Sequence, residues 1–118
     1  MRLTISTAFS LLLLAPGAAQ AHAFLLKSTP PVGAATLAPM ALRLEFSEGI
    51  EVKFSKIALA NGAGAAIEVT NLRYDGNDTK VLIADVPALP SGAYRVTWHV
   101  VSVDTHATEG DFGFTVKQ

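Results

Sequence analysis

Apolar and polar residues alternate with a period of two along most of this chain, and that pattern predicts strands. Leu42, Leu44 and Phe46 alternate with Ala41, Arg43 and Glu45, a strand with one wet face. Between Phe54 and Ala60, Ile57 and Leu59 share one side, with Phe54, Lys56, Ala58 and Ala60 on the other. Thr79 to Val86 sets Val81 and Ile83 against Leu82 and Ala84. The longest run, Tyr94 to Val103, turns Tyr94, Val96, Trp98 and Val100 inward, and Glu109 to Lys117 does the same with Phe112, Phe114 and Val116. His22 to Lys27 and Ala66 to Leu72 read as two shorter strands, making about seven. Breaks between them carry turn chemistry: Ser28-Thr29-Pro30-Pro31, Ser47-Glu48-Gly49, Asn61-Gly62-Ala63-Gly64, Asp75-Gly76-Asn77-Asp78. No stretch after residue 21 sustains a helical period. The prediction is an all-β fold, an antiparallel β-sandwich, with Tyr94 placed like the tyrosine that pins a loop in immunoglobulin-like sandwiches.

The start of the chain reads differently. Met1-Arg2 is a short basic start, Leu3 to Ala15 is apolar, and Ala19-Gln20-Ala21 is a small-x-small cleavage pattern. That is a secretory signal peptide over residues 1–21, its apolar run shorter than the roughly 20 residues a membrane span needs. Cleavage after Ala21 leaves one domain, residues 22–118, whose first residue is His22. Losing Arg2 takes the net charge from −1 to −2. No basic stripe exists to neutralise phosphates, which removes nucleic acid from the partners. The chain has no cysteine, so it folds by packing without disulfides and offers no thiolate to a metal. Met40 is the one methionine after residue 21, too little sulfur for a Cu(I) site.

Candidate chemistry gathers at two ends. Asp104 and His106 stand two residues apart at the end of the longest strand, which on an extended chain puts them on one face about 6.6 Å apart. His22, once it is the terminal residue, offers a free α-amine and its ring Nδ1 to a single metal, closing a six-membered chelate ring. The amine titrates near pH 8 and yields its proton to a Lewis acid more readily than a lysine would. With the His106 imidazole and the Asp104 carboxylate the set is three nitrogens and one oxygen, which in a tetragonal plane suits Cu(II) best, Ni(II) next and Zn(II) less well. Glu48 is either an ordinary exposed carboxylate or an acceptor behind the ligands that fixes the His22 amine or a ligand ring. His99 and Trp98 read by phase as surface and core residues, and Glu109 and Asp111 as a wet edge. Ser102, Asp104 and His106 lie too close along one strand to form a nucleophilic triad.

The start His22-Ala23-Phe24-Leu25, the segment Leu42-Arg43-Leu44-Glu45-Phe46-Ser47-Glu48 and the run from Gly92 through Asp104-Thr105-His106 to Phe114 resemble the CopC family of periplasmic copper-binding proteins. The resemblance implies a seven-stranded Greek-key sandwich that binds Cu(II) through His22, Asp104 and His106, with Glu48 nearby. It also implies copper buffering, resistance or delivery in the periplasm, and an inner-membrane partner of the CopD type. Two departures stand out: many relatives have glycine where this chain has Thr105, and some carry a methionine-rich Cu(I) loop where this chain has Met40 alone. The expectation is therefore a Cu(II)-only binding protein and not an enzyme. Two rivals stay open, a copper-dependent oxidative enzyme built on an N-terminal histidine and a metal-free immunoglobulin-like adhesion or assembly domain.

Overall fold

The computed structural model describes residues 22–118; the segment read as a signal peptide, residues 1–21, lies outside the described residues. Among the described residues nine strands form two sheets: β1 Leu25–Thr29, β2 Ala35–Thr36, β3 Ala41–Phe46, β4 Lys56–Asn61, β5 Ala66–Ile67, β6 Thr70–Asp75, β7 Asp78–Asp85, β8 Gly92–Val101 and β9 Ala107–Val116. A 3₁₀ turn, Val52–Phe54, precedes β4. One sheet has the order β1-β3-β7-β6 and the other β2-β9-β8-β4-β5. Pairing is antiparallel except where β2 runs parallel to β9. No helix among the described residues is long and apolar enough to cross a membrane.

The alternation read from the sequence becomes the core. Leu42, Leu44 and Phe46 from β3 meet Ile57, Leu59, Val96, Trp98, Val100, Phe112 and Phe114 from the opposite sheet, all buried. The rings of Phe46 and Trp98 cross edge-to-face with centroids 5.3 Å apart, a contact worth more than its buried area alone because ring edge and ring face carry opposite partial charge. Tyr94 donates its hydroxyl to the Pro90 carbonyl at 2.5 Å, pinning the loop that feeds β8.

Three expectations need correction. The strand count is nine among the described residues, not about seven, because β2 and β5 are two residues long and two residues carry no period. The single strand expected over Ala66 to Leu72 is broken. Ala66–Ile67 pairs with β4, while Thr70–Asp75 pairs with β7 in the other sheet, with Asn71 at φ +56° where the β6 register shifts. Phe54 belongs to the 3₁₀ turn and is 73% exposed.

One end of the sandwich collects three pieces of chain. The turn after β3 meets the β8–β9 turn through Val103 N–H to Gly49 O at 2.9 Å and a bridge between Ile50 and Ser102. The chain's first described residues lie against that same end, with Ser47 N–H donating to Phe24 O at 2.9 Å.

Candidate metal centre

Strands β8 and β9 pair without interruption from Gly92↔Val116 to Val101↔Ala107, so the residues between Val101 and Ala107 must reverse the chain tightly. Thr105 N–H closes onto Ser102 O at 2.9 Å, and Ser102 N–H onto His106 O at 2.9 Å. Thr105 sits at φ +72°, the left-handed residue this kind of hairpin uses to match strand twist. Asp104 and His106 do look the same way, but a turn aligns them and not an extended strand. Asp104 Oδ1 lies 3.3 Å from His106 Nδ1.

Ser102 sits under this turn, fully buried. Its hydroxyl donates to Asp104 Oδ1, and its oxygen lies 3.2 Å from the His106 carbonyl. That hydroxyl, helped by His106, holds the Asp104 carboxyl below the usual carboxylate range, although partial desolvation pulls the other way. Asp104 is therefore an anion at neutral pH. Asp104 stands between serine and histidine, the reverse of what a nucleophile needs, and Ser102 is closed to any substrate.

His22 arrives from the opposite sheet. Its ring meets His106 edge-on, with centroids 5.2 Å apart and planes at 76°. Its Nδ1, the ring nitrogen nearer its own backbone nitrogen, is turned away from solvent. The structure thus brings together His22, Asp104 and His106, residues up to 84 positions apart in sequence. Glu48 is half-buried between Ser47 and Gly49, on the turn that follows β3. His99 lies away from this cluster, exposed and 2.9 Å from Glu109.

The donors fit a borderline cation in kind, two imidazoles and an anionic carboxylate. They are not yet gathered as a closed site: among the described residues no three His, Asp or Glu side chains stand close enough to hold a metal outright. Asp104 is turned onto Ser102 and His106.

The hydroxyls that hold the first described residues against this end escaped the sequence reading: Ser47 stood in the Ser47-Glu48-Gly49 break, and Thr108 fell just before the strand read from Glu109. A serine or threonine beside a terminus gives no periodic signal, so only the fold reveals them.

Fold and site together define a small two-sheet β protein carrying imidazole and carboxylate donors at one end. The CopC domain model matches residues 25–117. The chain belongs to the CopC family. Copper resistance protein C of Escherichia coli is 40% identical over 107 residues, 84% of each chain. Protein YobA of Escherichia coli K12 is 40% identical over 99 residues, covering 82% of this chain and 80% of that one. The crystal structure of CopC from Methylosinus trichosporium OB3b superposes with a TM-score of 0.76 at 29% identity, over 81% of this chain and 94% of that one. A longer relative, copper transport protein CutJ of Bacillus subtilis, is 27% identical over 103 residues, which is 86% of this chain but only 19% of that protein.

Proposed function

We propose that this protein binds Cu(II) in the periplasm and buffers or delivers it, without catalysing a reaction. One observation carries the reading: the fold brings His22 and His106 into ring contact beside an anionic Asp104. The names of the relatives, copper resistance and copper transport proteins, support copper as the cargo. In the processed chain the His22 amine and Nδ1, the His106 imidazole and the Asp104 carboxylate would be the donors. Nitrogen and oxygen donors favour Cu(II), and one exposed methionine, Met40, is too little for a Cu(I) site. Glu48 would orient the terminal amine. Seven strands longer than two residues, in the orders β1-β3-β7-β6 and β9-β8-β4, support an immunoglobulin-like Greek-key frame.

Acid releases the cargo because protons compete for the amine and imidazoles, and reduction releases it because these donors hold Cu(I) poorly. The CutJ match, where a domain of this kind occupies a fifth of a transport protein, supports an inner-membrane partner of the CopD type. Cu(II) titration of the secreted chain, with His22→Ala, His106→Ala and His99→Ala beside it, tests the reading. The first two lose affinity by orders of magnitude and the third keeps it; equal behaviour of all three refutes the assignment. Reductant-dependent oxygen consumption by the copper-loaded protein would favour the enzymatic alternative instead.

A further inference from the structure

The segment His22 to Phe24 precedes β1 and has no ladder of its own, since strand pairing with β3 begins at Leu25↔Phe46. A free terminus ahead of a strand ordinarily frays. Here four of its backbone groups are held, and two side-chain hydroxyls supply three of the four bonds. Ser47 Oγ donates to the His22 carbonyl at 3.3 Å and accepts from the Phe24 amide at 3.0 Å, which uses its single proton and one lone pair without conflict. Thr108 Oγ1 donates to the Ala23 carbonyl at 2.6 Å, from 85 residues away. The Ser47 amide takes the Phe24 carbonyl. Between the two hydroxyls the Ala23 side chain is fully buried in the core.

These bonds come from both layers of the sandwich. Ser47 follows β3 in one sheet, and Thr108 lies on β9 in the other, two residues beyond His106. The terminus is therefore fastened to the same hairpin that carries Asp104 and His106. We propose that Ser47 and Thr108 form a hydroxyl clamp that positions the His22 half of the copper site against the hairpin half before the metal arrives. The clamp rests on the reading of the His22, Asp104 and His106 cluster as the copper site. Its consequence is thermodynamic: a pre-placed terminus loses less conformational freedom on chelation, so the clamp raises affinity without touching the metal.

The test uses the secreted chain with its terminus at His22. Thr108→Val keeps the shape and removes the donor, Ser47→Ala removes the other hydroxyl, and Thr108→Ser restores a hydroxyl. Ser55→Ala is the control, because the Ser55 hydroxyl also bridges two backbone groups, Glu51 O and Val101 N, away from the terminus. Cu(II) affinity is read by competition against a chromophoric chelator, the ligand field by electron paramagnetic resonance, and folding by urea denaturation. Thr108→Val and Ser47→Ala are expected to weaken Cu(II) binding about 10- to 100-fold, the range for losing a group that orients a ligand. Their resonance spectra change or become heterogeneous as the amine is held less uniformly. Thr108→Ser regains most of the affinity, and Ser55→Ala loses stability with affinity intact. Clamp variants that bind copper as wild type does, or affinity that falls with stability equally in Ser55→Ala, overturn the clamp. Should His22→Ala itself bind as wild type does, the copper site falls and not merely the clamp.

Discussion

Thr105 is the residue whose backbone fits its side chain least. A β-branched residue at φ +72° brings Cβ against its own carbonyl, which costs an ordinary L residue about 1–2 kcal/mol. Thr105→Gly removes that cost and gives back part of it because glycine raises the entropy of the unfolded chain. The expected net gain is about 1 kcal/mol, raising the melting midpoint by roughly 4–8 °C in a domain of this size. Cu(II) affinity stays within about threefold, because the hydrogen bonds Thr105 N–H to Ser102 O and Ser102 N–H to His106 O are unchanged by the substitution. Calorimetry with a copper titration on the same sample decides it, and a lowered midpoint would mean the left-handed turn is not strained. At this scale the sequence singled out the candidate donors and concealed the hydroxyls beside them. His22, Asp104 and His106 stand out because few side chains hold metals, whereas Ser47 and Thr108 are common polar residues whose partners lie 23 to 85 residues away, and Ser102 acts only once the turn folds over it.

The β8–β9 hairpin shows what a strand can demand of its partner. Trp98 is paired with Gly110, and a Cβ at position 110 would fall 2.8 Å from Trp98 Cε2 and nearer still to Cζ2. The indole cannot move aside freely, since its other side is packed on Phe46. Gly110→Ala should therefore destabilise by about 1–3 kcal/mol, the cost of overpacking, measured by urea denaturation; an unchanged midpoint would mean the indole has room. Strand β7 is tied to β6 differently, through Asp85, which accepts from Asn71 at 3.1 Å and Arg73 at 3.1 Å. The Asn71 bond first and Arg73 second hold the Asp85 carboxyl below its usual 3.8. A folded-state pKa below the unfolded one adds stability above pH 3.8 that is lost as pH falls through the folded value. Both groups are exposed, so the effect is small. Asp85→Asn should lower the urea midpoint slightly at pH 7, and the gap from wild type should narrow as pH falls below 3.8; a gap that widens on acidification would contradict the sign. Long strands were legible because residues such as Leu42, Leu44 and Phe46, or Val96, Trp98 and Val100, repeat every second place and are buried. The Ala66 to Leu72 break was not, because Glu68 and Val69 continue the alternation while the chain changes sheets.

The proposed site joins the His22 end of the chain to a hairpin on the opposite layer, so the proposal depends on where the processed chain starts. Two chains isolate the point: one beginning at His22, and one that keeps Ala19-Gln20-Ala21 ahead of it, so that the His22 nitrogen stays a peptide nitrogen. Without copper they should melt together, because β1 begins at Leu25 and Ala23 is buried in both. Ligand that binds only the folded form stabilises by RT ln(1 + [L]/Kd), about 2.7 kcal/mol when copper stands at a hundred times the dissociation constant of the shorter chain. That raises its midpoint by on the order of 10 °C. If losing the amine weakens binding about 100-fold, at the upper end for a disturbed metal site, the same copper gives the longer chain only about 0.4 kcal/mol, a shift of roughly 2–3 °C. Equal shifts would show that the hairpin residues bind copper without the terminus. Unequal melting before copper is added would show instead that the extra residues disturb the packing of Ala23, a structural effect separable from chelation by that one measurement.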